Sequence, residues 1–460
     1  MIRGIRQVRA VALALVLFWL VFAVQASSAG AKLGVQWMRS YRAPGTPARY
    51  DKVGVIKIGS KSAKNVLVLE PGTSAGSGYF VPLAKWIVSR APGWQVWSVE
   101  RRENLLEDQT MLNRAKDGKA TATQLFDYYL GFLANSSVKH HINLIPDSKV
   151  GFARQWGLKV AVEDLHTVIG AARKLGGRVV LGGHSLGGSV VTAYATWNFH
   201  GKPGADQLAG LVYDDGGSFG TAESAQAARQ ALRTLRTSTP WLAFSGVPAP
   251  FLGLFSAVGS TVALIAPNQL SQAETFPLTP SVLEPPLPAT NLAVFGYDTD
   301  TKTSKLNFSA QAHLGHLDTS VSPAGWDQAG EISPIRRYAS MLSGTGLTNV
   351  DGTEWYSPQR LTDDTAAVAE GNANPAQKVL DIQATEGHQL PRRLRIYAFG
   401  AYGGTAITSA AVTLAKQSHI PMRNLTLVSR HGTYAHNDPA AAYPKNVFFS
   451  HLIPFLAKLG

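Results

Sequence analysis

The 460-residue chain has no cysteine. That absence excludes disulfides, zinc–thiolate sites, thiol catalysis and a lipid-modified N-terminal cysteine. Charge is sparse: 16% of residues are charged, and 30 Asp and Glu face 43 Lys and Arg, a formal net charge of +13. The 44 glycines and 25 prolines follow no collagen period, which excludes a fibrous protein. A hydrophobic content of 45% is too high for a disordered chain. The length allows one large domain or two to three ordinary ones. No repeat of fixed period and no low-complexity tail occurs. The fold must be held by its core.

Long apolar runs are also missing, with one exception. AVALALVLFWLVFAV (10–24) follows the basic residues Arg3, Arg6 and Arg9 and precedes the small-residue stretch VQASSAG. The run is shorter than the ~20 residues a membrane span needs. The three-part layout predicts a secretory signal peptide over 1–26, cleaved after Ala26 or Ala29. The mature chain is then expected to be secreted or held at the cell envelope. It keeps about +10 of charge. That charge is scattered, with only pairs such as Arg101-Arg102 and Arg392-Arg393, and no basic run is interleaved with aromatics. Nucleic acid is therefore not an expected partner, whereas peripheral association with an anionic envelope is.

Beyond the leader, apolar strands alternate with helices. VGVIKI (53–58), NVLVLE (65–70), WQVWSVE (94–100), RVVLGG (178–183), LAGLVYDD (208–215), RLRIYAF (393–399) and LTLVS (425–429) read as strands. Leu158, Val162, Leu165, Ile169 and Ala172 fall on one face of a helix that Gly176-Gly177 ends. Further helices are predicted over 223–236, 408–417 and 447–459. This rhythm predicts an α/β fold with a mostly parallel sheet and helices on both faces. It breaks between 216 and 390, which reads as a cap or lid inserted over the sheet's carboxyl edge. The expected organisation is a leader (1–26), a core first part (27–215), a cap (216–390) and a core second part (391–460).

One motif carries chemistry. Gly183-His184-Ser185-Leu186-Gly187 matches G-x-S-x-G between a buried strand and a small-residue helix. A serine on that sharp turn is lifted out of the sheet, and the flanking glycines leave room for neighbouring backbone. Two histidines, His431 and His436, follow the last strand in SRHGTYAHNDP. On these residues the chain resembles the α/β-hydrolase fold family, over 53–215 and 393–459 but not over the cap. The resemblance implies Ser185 as nucleophile. It implies His436 as base, because Tyr-Ala-His-Asn-Asp-Pro is similar to the family's ending before the last helix. It implies an oxyanion site from the amides of Thr73, in Glu70-Pro71-Gly72-Thr73, and of Leu186. VWSVERREN is similar to the strand and Arg-rich turn that follow in many members.

The acid departs from the commonest pattern. The loop after the penultimate strand, Phe399 to Gly404, has no carboxylate. The family's second solution, at the end of the strand after the nucleophile helix, implies Asp215, with Asp214 as the alternative. Asp298 or Asp300, in the strand-like run NLAVFGYDTDT, is a third candidate. His184 is expected to pack beside the serine. His313 and His316 are expected to be solvated rather than a metal pair. Neither metal nor organic cofactor is required. The expected activity is hydrolysis of a carboxylic ester, with a small-molecule or lipid-like acyl substrate and Phe251 to Ala266 as a candidate acyl-pocket segment. Acyl transfer, amide or peptide cleavage and a non-catalytic binding scaffold remain open alternatives.

Overall fold

Eight strands form the main sheet: β1 (Gln36–Arg39), β2 (Lys52–Ile58), β3 (Asn65–Glu70), β4 (Trp94–Glu100), β5 (Val179–His184), β6 (Gly210–Asp214), β7 (Arg395–Gly400) and β8 (Leu425–Ser429). Their spatial order is β1-β2-β4-β3-β5-β6-β7-β8. From β4 to β8 every pairing is parallel, while β2 runs antiparallel to both β1 and β4. The computed structural model describes residues 32–460 apart from 219, 245 and 306–310, and only the backbone of Val282. The leader expected over 1–26 lies outside these residues. Among the described residues no helix is long and apolar enough to cross a membrane. Gly34–Gly460 forms one compact unit.

Two layers of helix cover the sheet, and the strand period of two sorts side chains between them. Val66 and Val68 of β3, Val179 and Leu181 of β5, and Ile396 and Ala398 of β7 share one apolar cluster. With them pack α4 (Leu158–Arg173), α5 (Leu186–Thr196) and α12 (Gly404–Gln417). The alternate residues of β7 face the other layer. Tyr397 stacks on Phe448, donates its hydroxyl to the Phe448 carbonyl at 2.9 Å, and Phe399 meets the same ring edge-on. Phe448 belongs to α14 (Val447–Ala457), whose Phe449 stacks on Trp86 of α1 (Val81–Arg90) at 3.7 Å. Each fully buried Leu, Ile, Val or Phe in these layers contributes roughly 1.5–3 kcal/mol.

The two crossovers diverge between β3 and β5. β3 leads through α1 on one face, and β5 through α5 on the other. Such a switch point leaves a crevice at the carboxyl ends of the strands, where open α/β sheets bind ligands. Glu70 and Gly183 pair across it.

The described residues of 216–390 add no strand to this sheet. They carry α6 (Ala225–Thr237), α7 (Phe251–Ile265), α8 (Asn291–Thr299), α9 (Ile335–Ser343), α10 (Gln359–Thr365) and α11 (Pro375–Leu380). α7 packs on α8, α9, α2 (Thr110–Lys116) and α3 (Ala122–Tyr129). α10 and the chain after it behave differently: Leu361, Val368, Leu380 and Leu390 join the main core beside α4 and α5. The run expected to be strand-like, 291–301, is a helix over Asn291–Thr299. The Thr290 side chain accepts a hydrogen bond from Ala293 N and starts it.

Candidate active site

Ser185 ends β5 and begins α5 in a conformation rarely open to a non-glycine residue, φ 54° and ψ −124°. Close packing imposes it. A Cβ on Gly187 would lie 2.2 Å from the Glu70 carbonyl oxygen, and one on Gly183 would lie 2.3 Å from that of Gly187. The turn is tied down by Ser185 N donating to Asp214 O and Gly188 N donating to Ser185 O. Leu186, next in the chain, opens the helix, so its amide belongs to the positive end of the helix dipole.

His436 lies on the loop after β8 and is 3% exposed. Its Nδ1 is 2.6 Å from Asp215 Oδ2. The other oxygen of Asp215 accepts from the amides of Ala401 and Gly403, at 2.7 and 2.9 Å. The loop after β7, which carries no acid of its own, therefore supplies two donors that hold Asp215 in place. With Nδ1–H donated to a carboxylate, Nε2 is the basic atom of His436. Asp214, one residue earlier, makes no contact of this kind. Both its oxygens are buried without a hydrogen-bond partner, and burial together with the Asp215 charge pushes its carboxyl well up. Asp298 lies on α8 and Asp300 at its end, where Asp300 accepts from the amides of Leu314 and Gly315. No hydrogen bond joins either to His436.

The other histidines divide. His184 donates from Nε2 to the His436 carbonyl at 2.9 Å and stacks on Tyr79. Burial, then the neighbouring His436, drives it down to about 3, so it stays neutral. His431 is exposed and meets the Tyr402 carbonyl. His316 is exposed, 3.8 Å from Asp327. His313, expected to be solvated, is instead partly buried against Asp438. Its Nδ1 sits 2.5 Å from Asp438 Oδ2, while Ser333 Oγ and the His313 amide donate to Oδ1. Asp438 also accepts from the Ala435 amide, so it clasps segment 311–333 to the loop that carries His436.

Ser185, His436, Thr73 and Gly72 line one cleft of about 730 Å³, together with Tyr79, Leu252 and Ser256. A Cβ on Gly72 would lie 2.9 Å from that of Ser185, which puts the Thr73 loop directly beside the serine. Arg101 clamps this loop. It donates to the carbonyls of Pro71, Gly72 and Ala75, and to Glu70 and Glu354. Burial pushes Glu70 up to about 7 although Arg101 pulls it back. On its other edge the loop pairs with 352–354: Gly76 N donates to Gly352 O, and Glu354 N to Ser74 O. Sequence reasoning did not assign Arg101 or Asp438 a part in the site. The Arg-Arg pair after β4 and the Asn-Asp-Pro after His436 were the available signals.

No family model matches the chain, and no curated protein sequence does. Solved structures do. A candidate lipase from Sulfolobus solfataricus aligns at 15% identity over 92% of this chain and 93% of its own, with a TM-score of 0.45. The thioesterase domain from the curacin biosynthetic pathway aligns at 10% identity over 92% and 99%, TM-score 0.40. An esterase from Thermogutta terrifontis aligns at 14% identity over 92% and 98%, TM-score 0.37. The fold is read from the chain's own architecture. A serine raised on a strained strand-to-helix turn, followed in chain order by an aspartate and then a histidine after later strands, is the order of the α/β-hydrolases, and with its mostly parallel eight-stranded sheet the chain has the α/β-hydrolase fold.

Proposed function

We propose that the protein is a serine hydrolase that cleaves a carboxylic ester with an apolar acyl chain. Ser185 Oγ attacks the acyl carbonyl while His436 Nε2 takes its proton. Asp215 fixes the imidazole tautomer and stabilises the imidazolium. The amides of Thr73 and Leu186 hold the tetrahedral oxyanion, worth about 3–4 kcal/mol per donor in comparable sites. His436 returns the proton to the leaving alcohol, and water then frees the acyl group by the reverse sequence. The observation that carries this reading is the 2.6 Å contact between His436 and Asp215 behind a cleft that His436 shares with Ser185. The apolar chain is supported by a second space of about 1090 Å³, lined by Phe255, Phe276 and Phe295, that shares Leu252, Ser256 and Thr299 with the cleft. We also read the N-terminal run as a secretory leader and the positive mature surface as suited to an anionic envelope.

The test is turnover of p-nitrophenyl esters, acetate to palmitate, by mature protein and Ser185→Ala, with fluorophosphonate labelling beside it. Turnover and labelling that vanish together in Ser185→Ala are the expected result. A protein that neither turns over any ester nor labels at Ser185 is a binding scaffold instead.

A further inference from the structure

The second space is not uniformly apolar, and a carboxyl group lies in its wall. Leu252, Ser256 and Thr299 line both it and the cleft of Ser185, so the two lie side by side. Most of its wall comes from aromatic and branched side chains of α7, α8 and the chain between them. The polar wall residues Asn291, Thr279 and Thr299 are satisfied, since each donates to a backbone carbonyl. Asp298 is not. It lines the same space, and its Oδ1 is shielded from solvent with no hydrogen-bond partner. Asp298 is half-buried, and a shielded carboxyl oxygen left in this state costs free energy that a leucine there would not. Among the described residues no Lys, Arg or His lines the chamber to compensate it.

Resting on the ester-hydrolase reading, we infer that this chamber binds a chain that carries a hydroxyl group, and that Asp298 selects that chain by hydrogen-bonding the hydroxyl. The chemistry favours a hydroxyl over the alternatives. A carboxylate on the ligand would have to shed its water in a chamber whose described lining holds no cation to pair with it. An ammonium would have to shed its water against phenylalanine and valine side chains. A hydroxyl is cheap to desolvate, and it can donate to a carboxylate or accept from a carboxylic acid. Burial, with the Glu274 charge adding to it, holds the Asp298 carboxyl well above its ordinary range, and a hydroxyl pairs with either form of that group. A site built to bond a hydroxyl rejects the analogue that lacks one strongly, because its own polar group is then stranded. Asp298 is thus a specificity-determining residue, apart from the reacting atoms.

The experiment compares kcat/KM for p-nitrophenyl alkanoates with the same esters hydroxylated at successive carbons. It uses wild type, Asp298→Leu and Asp298→Asn. In wild type one hydroxyl position is expected to raise kcat/KM by about tenfold or more over the plain chain. Asp298→Leu should abolish or reverse that ratio while still turning over plain esters, and Asp298→Asn should keep part of it. Displacement of a bound naphthalene fluorophore by alkanediols and by alkanols of equal length gives a second reading that needs no turnover. The diol must win in wild type and lose its advantage in Asp298→Leu. Ser185-dependent turnover with no preferred hydroxyl position overturns the inference and leaves the hydrolase reading intact. So does a preference that survives in Asp298→Leu, or a stronger preference for an ammonium-bearing chain. Absence of any turnover with the diol preference retained overturns the hydrolase reading alone.

Discussion

At the scale of single residues, two adjacent aspartates have opposite fates. Neighbours at a strand end point to opposite sides, and Asp215 adds a φ of 44° that turns its carboxyl toward His436. Asp215→Asn should therefore lower kcat by about 10³–10⁴-fold with KM little changed, because the amide cannot hold the same histidine tautomer; steady-state ester hydrolysis checks it. Asp214→Leu should do the reverse. The variant is expected to keep fluorophosphonate labelling and to gain roughly 1–3 kcal/mol at neutral pH, by removing a buried carboxyl without partners. The sign with pH follows from the raised value. The native state keeps a proton that the unfolded chain releases above about pH 3.9, so this group's contribution falls as pH rises above that point. The stability difference between Asp214→Leu and wild type should grow from pH 4 to pH 7 in denaturant titrations, and a constant difference would contradict the assignment. Strand 208–215 and its terminal acids were legible in the sequence. The choice between them was not, because the amides of Ala401 and Gly403 that hold Asp215 are backbone groups and leave no mark in the side-chain pattern.

At the scale of elements, the loop 70–76 is held from below by a single guanidinium. Arg101 reaches three of its carbonyls with a planar fork that an ammonium cannot reproduce. Arg101→Lys should lower kcat at least about tenfold, since a shift in the Thr73 amide is felt by the oxyanion and less by the ground state. It should also lower thermal stability, because Glu70, Glu103 and Glu354 keep fewer donors. A fall in stability with kcat unchanged would separate the clamp from catalysis. The clasp of His313 on Asp438 adds a pH dependence. Its hydrogen bond to Asp438 raises the His313 value above the ordinary one. The clasp therefore stabilises fully below about pH 6.5 and weakens as pH climbs through the raised value. Melting temperature between pH 6 and pH 9 should fall more in wild type than in His313→Gln. Most strands were readable from their apolar runs because the parallel sheet is buried on both faces. The helix α8 was not, since Asn-Leu-Ala-Val-Phe-Gly-Tyr mimics strand composition. What decides it is the Thr290 cap and the close seat of Gly296 against Trp326, where a Cβ would meet the ring at 2.5 Å.

At the scale of the molecule, the segment between β6 and β7 supplies part of the wall of the candidate site, through Leu252, Ser256, Tyr338 and Thr353. Residues 352–354 pair with the Thr73 loop, and α7 lies directly on that pair: a Cβ on Gly253 would fall 2.4 Å from the Glu354 carbonyl oxygen and 2.8 Å from Trp355 Cα. Both obstacles are backbone, so neither yields by changing a rotamer. This long-range seating had no signature in the sequence beyond a glycine that interrupts the apolar stretch 251–266, because it depends on residues about a hundred positions apart. Gly253→Ala should lift α7 from its seat at a cost of about 1–3 kcal/mol. The movement should reach two places. Leu252 and Ser256, which border both the cleft and the chamber, would shift with the helix, so kcat/KM should fall further for long-chain esters than for acetate. Glu354 would shift with its own backbone, loosening its bonds to Ser74 and Arg101. Gly253→Ala and Arg101→Lys should then be non-additive in kcat, with a coupling of roughly 0.5–3 kcal/mol. A double-mutant cycle over the ester series measures both effects, and additive losses uniform in chain length would show that α7 and the oxyanion loop act independently.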